Sequence, residues 1–171
     1  MAIYINIAMD LLVIGVVAIC LYTDIKERKI YNKILLPGLL GGVVLNVLLS
    51  GFSGLAVSGL GFGLGLGFLL IPFAMGGIGG GDVKLLAVVG AIKGWEFVFY
   101  TALGMGVFGG LIAVGILIYQ GRILRVLREF LRGTLILVGS RFKIVSYDVD
   151  SERYMFPYGL AITLGVGAAF V

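Results

Sequence analysis

Six stretches of this chain stay apolar for long enough to cross, or nearly cross, a lipid bilayer. They cover residues 3–22, 34–49, 55–74, 82–92, 95–119 and 156–171. A helix rises about 1.5 Å per residue, so roughly 20 residues cover the ~30 Å of hydrocarbon. The first, third and fifth stretches reach that length; the fourth and the last are short. Hydrocarbon offers the backbone no hydrogen-bond partner, so open strands and bare loops are excluded from it. Composition agrees: 60% of residues are hydrophobic and 13% charged, with a mean hydropathy of +1.15, whereas soluble domains carry about a quarter charged. The expectation is an all-α polytopic membrane protein: one embedded domain over residues 1–171, built as a bundle of about six transmembrane helices.

The basic residues orient the bundle. If the loops at about 23–33, 75–84 and 120–155 face the cytoplasm, then Lys26, Arg28, Lys29, Lys33, Lys84, Arg122, Arg125, Arg128, Arg132, Arg141, Lys143 and Arg153 all lie inside. Lys93 alone lies outside. The positive-inside rule therefore predicts a multi-pass protein of the cytoplasmic (inner) membrane with both termini outside. No Lys or Arg precedes the first apolar run, the reverse of a cleavable signal peptide, so that run reads as a retained helix.

Residues 122–132 read RILRVLREFLR. On a helix the four arginines gather on one side and the apolar residues on the other, which predicts a basic amphipathic helix in the headgroup layer, held by anionic membrane lipids. No aromatic stacking platform accompanies it, so a nucleic-acid partner is not expected. In the third stretch Gly59, Gly63 and Gly67 form one small-residue row on a helix and Gly61 and Gly65 form another, nearly opposite. Two such rows predict a helix sandwiched closely between neighbours.

Several chemistries are excluded. The chain has no histidine and a single cysteine, Cys20, which removes His/Cys zinc sites, a Ser-His-Asp triad and an intramolecular disulfide. No cofactor or metal is expected. Of nine acidic residues, Glu27, Glu129, Asp148, Asp150 and Glu152 fall in polar or interfacial stretches, and Glu96 lies at the outer turn. Asp10 lies within the first span, where an ionisable group is a functional candidate by default. Asp24 and Asp82 stand apart. One closes the first span and the other opens the fourth, so both reach the cytoplasmic face. A capping role for Asp82 and a surface ion pair for Asp24 are the simpler readings of each alone. Together, two carboxylates at one depth can share a proton, one serving as general base on water and the other polarising a carbonyl.

The residues around this pair resemble a known family. Gly79-Gly80-Gly81-Asp82 matches the GxGD signature of intramembrane aspartyl proteases, and Gly81-Asp82-Val83-Lys84 extends it to GDxK. Asp24, followed by Ile30 and Asn32, resembles the other motif of the type IV prepilin peptidases, with Tyr31 where proline is frequent. Pro157-Tyr158-Gly159 resembles the family's late Pro/Gly motif. The resemblance implies Asp24 and Asp82 as catalytic residues, supported by Gly79, Gly81, Lys84, Asn32, Pro157 and Gly159. It implies an aspartic endopeptidase that removes leaders at the cytoplasmic face. The substrate partners would be prepilin-like, pseudopilin or preflagellin proteins with a basic leader and a hydrophobic N-terminal helix. Larger relatives carry a cytoplasmic stretch with paired cysteines and N-methylate the new terminus, so this short form is expected to cleave without methylating. A small proton-coupled transporter or channel with intramembrane carboxylates remains the alternative reading.

Overall fold

The computed structural model describes residues 2–74, 77–119 and 158–170. Six helices account for nearly all of them: α1 (Ala2–Glu27), α2 (Asn32–Ser50), α3 (Phe52–Ala74), α4 (Gly80–Lys93), α5 (Trp95–Tyr119) and α6 (Tyr158–Ala169). No strand occurs among the described residues. Four helices, α1, α2, α3 and α5, are long and apolar enough to cross a membrane, whereas α4 and α6 have 14 and 12 residues. The arginine-rich segment 122–132 and the loop 120–155 lie outside the described residues.

Two boundaries differ from the sequence reading. The first helix continues to Glu27, past residue 22, so Asp24 sits inside its last turn. The chain then turns at Arg28 in a left-handed conformation (φ 53°), with its N–H donating to the Asp24 carbonyl at 2.8 Å. The fourth helix begins at Gly80, which puts Asp82 within its first turn and makes Gly79 the cap residue. Elsewhere the turns follow the glycines. Gly51 (φ 59°) ends α2 and Gly94 (φ 87°) ends α4, conformations that residues with a Cβ seldom adopt.

The bundle exposes its apolar residues as freely as it buries them. On α1, Met9, Val13, Val16, Val17 and Cys20 face inward, while Tyr4, Leu11, Ile14, Tyr22 and Ile25 face outward. An outer surface of this kind suits lipid, not water. The centre belongs to α4, whose residues from Asp82 to Ile92 are all buried except Lys84. Helices α1, α2, α3 and α6 pack around it.

Glycine sets how closely they approach, and it acts differently from the expected sandwich. A Cβ at Gly61 would collide with the Gly90 carbonyl of α4 and one at Gly65 with the backbone of Leu86 and Ala87, so this row holds α3 on α4. Gly59, Gly63 and Gly67 have no neighbour among the described residues within 4 Å of their Cβ positions. Among the described residues only one row is packed, the one that faces α4. Between α5 and α6, Gly104 and Gly165 make the corresponding close approach.

Because α4 is short, its last carbonyls end inside the bundle, where water cannot serve them. Asn46 of α2 donates from Nδ2 to the carbonyls of Ala91 (3.1 Å) and Ile92 (2.9 Å), and Ser58 of α3 donates to Ala91 at 2.6 Å. Both side chains are buried. Lys93, the final residue of α4, forms a 2.5 Å ion pair with Asp10 of α1. The isolated carboxylate of the first span therefore has a partner.

By contact, Met1–Gly109 and Pro157–Val171 form one unit, which holds every residue of the site below. Of the second unit, Gly110–Phe156, the described residues are the C-terminal part of α5.

Candidate active site

Asp24 is half-buried in the last turn of α1. The first turn of α6 presses against it: a Cβ at Gly159 would lie 2.5 Å from Asp24 Oδ2 and 3.1 Å from Cγ. With no side chain at Gly159, its backbone amide comes close enough to interact with the carboxylate. Any larger residue would displace the acid.

Asp82 is 9% exposed and sits at the third position of α4. The amide of Gly79, the cap residue, interacts with its carboxylate, as does its own amide. This is the reciprocal half of a capping box, in which an acid in the first turn reaches back to the cap amide. Asp82 is thus not the cap, but it does serve the helix start. One of its oxygens remains over. Oδ1 is buried and accepts no hydrogen bond from the described residues. Asp24 lies within electrostatic range of Asp82.

The flanking motif residues also meet. A Cβ at Gly81 would stand 2.9 Å from Ile30 Cβ, so the isoleucine six places after Asp24 packs on the glycine before Asp82. Lys84 Nζ donates to Asn32 Oδ1 at 3.3 Å on the exposed rim. Two segments more than fifty residues apart are therefore joined two ways, Ile30 to Gly81 and Lys84 to Asn32. Gly159 closes the group from α6, and Pro157 lies outside the described residues. Tyr31, where proline is frequent, donates its O–H to Glu27, which pushes its phenol above the ordinary range.

One residue was not singled out in the sequence as a site member. Tyr158, next to Gly159, lies within electrostatic range of Asp82. Its place inside the late Pro/Gly motif was the available signal. The arrangement offers two carboxylates, backbone amides on each and a phenol near Asp82. Such a set can hold a water and move its protons without a metal.

The sequence model of the type IV leader peptidase family matches residues 11–114, a span that includes both aspartates and stops short of Gly159. No curated protein and no solved structure matches the chain.

Proposed function

This membrane protein belongs to the type IV leader peptidase family, and from that premise we propose that it is an aspartic endopeptidase in which Asp24 and Asp82 activate water. The observation that carries the reading is the buried Oδ1 of Asp82, without a hydrogen bond from the described residues and within range of a second carboxylate. A buried acceptor left over by its own helix is costly to keep for stability alone. It is well suited to a water or a substrate group.

The chemistry follows from sharing one proton between two acids. The charged member removes a proton from water as its oxygen attacks the scissile carbonyl carbon. The protonated member gives its proton to the carbonyl oxygen. In the resulting gem-diol the C–N bond breaks, the amine leaves with a proton from the first acid, and the second recovers its own from a diol hydroxyl. Gly159 holds Asp24 in place, and Gly79 holds Asp82.

The proposed substrates are prepilin-like, pseudopilin or preflagellin chains, cut at the cytoplasmic face between a basic leader and a hydrophobic helix. The proposed setting is the cytoplasmic membrane, with both termini outside and anionic lipids at the basic loops. N-methylation is not part of the proposal, since the chain has one cysteine, in α1, and no paired set.

The test is co-expression with a prepilin-like substrate and detection of leader removal. Asp24→Asn and Asp82→Asn should each abolish cleavage at unchanged protein level. Processing that persists in both variants would reject the dyad.

A further inference from the structure

Helices α1 and α4 run antiparallel, each supplies one of the two site acids, and they meet a second time at their far ends. Asp10 lies fourteen residues before Asp24 on α1, and Lys93 lies eleven residues after Asp82 on α4. At about 1.5 Å per residue these separations are roughly 21 Å and 16 Å. A lysine side chain is long enough to make up the difference. The second contact is the Asp10–Lys93 ion pair at 2.5 Å, with Lys93 also over the rings of Phe97 (5.4 Å to the centroid) and Phe170 (5.6 Å). We infer that Asp10 and Lys93 are positioning residues, an ion pair that fixes the register of α1 against α4 and so the alignment of Asp24 with Asp82.

Three physical points carry this. Between the two contacts, the inward residues of α1 are Val13, Val16, Val17 and Cys20, and smooth apolar side chains permit sliding more readily than a charge pair does. In a bundle facing lipid, neither charge has an inexpensive alternative to its partner. The ammonium is further confined by two aromatic faces. Asn46 and Ser58 hold the end of α4 to α2 and α3. Among the described residues neither hydrogen-bonds to α1, whereas the ion pair ties α1 to that end.

The inference rests on the peptidase reading for its kinetic consequence but not for its geometry, and the experiment reads both. Cysteines placed at 24 and 82, with Cys20→Ala, report proximity by thiol cross-linking in membranes without any catalysis. In the intact dyad, kcat and KM for leader cleavage are measured separately. Asp10→Asn and Lys93→Met should lower the cross-linking yield several-fold and lower kcat about 10- to 100-fold, because small misplacements at a reacting centre cost rate. KM should change little, since the lost interaction is not with substrate. Asp10→Glu and Lys93→Arg, which keep the charges, should recover most of both. The double variant Asp10→Asn with Lys93→Gln orphans neither charge, so it tests the inference even where a single variant fails to accumulate. Parent-level cross-linking and kcat in that double variant overturn the positioning role. If the parent itself cleaves no leader, the peptidase reading fails, while the cross-linking arm still decides the register.

Discussion

Gly159 is the residue at which the smallest change should have the largest effect on the site. A methyl group there would stand 2.5 Å from Asp24 Oδ2, so Gly159→Ala must rotate the acid or push α6 away. The expected outcome is at least a tenfold fall in leader cleavage, with helix content by circular dichroism unchanged. Normal cleavage would mean that the acid has room to move. At this scale much was legible in advance. Asp24, Asp82, Gly81 and Ile30 stood in recognisable spacings, and the structure brings those spacings together. Asp10 reads in sequence as a functional candidate with no partner in view. Its partner is 83 residues away, and only the relative depth of two helices makes them neighbours.

Helices α3 and α4 show what a sequence pattern leaves undecided. Two glycine rows were visible on α3, but which of them meets a neighbour depends on where the helix stands in the bundle. The contrast is directly measurable. Gly61→Ala forces a methyl group into the Gly90 carbonyl, and overpacking of this kind costs about 1–3 kcal/mol or more. Gly63→Ala meets nothing among the described residues within 4 Å and should be neutral or slightly stabilising. Unfolding in mixed detergent would rank them, and equal stability of the two variants would contradict the packing described. The end of α4 was less legible still. Asn46 reads in sequence as one polar residue in an apolar run, although it serves the terminal carbonyls of a helix 45 residues away. Asn46→Leu leaves the Ile92 carbonyl without that donor and should destabilise the fold by about 1–3 kcal/mol, read by the same unfolding assay. An Asn46→Leu protein as stable as the parent would show the bonds to be dispensable.

For the whole molecule, the apolar runs and the charge asymmetry predict a membrane bundle, and among the described helices α1, α2, α3 and α5 have the lengths and apolar surfaces to match. The orientation can be tested by thiol labelling in a Cys20→Ala background. A cysteine replacing exposed Phe52, the first residue of α3, should react with an impermeant reagent from outside the cell. One replacing Lys29 should react only after the membrane is opened. The opposite pattern would invert the proposed topology and remove the cytoplasmic placement of the two acids.

Because α4 is enclosed by other helices along almost its whole length, its 14 residues never have to match the thickness of the surrounding lipid. A spanning helix that is too short for its bilayer ordinarily tilts, thins the membrane or recruits partners. Here the neighbouring helices take up that mismatch. A bilayer of longer or shorter acyl chains would strain the outer helices first and reach the helix bearing Asp82 only through them.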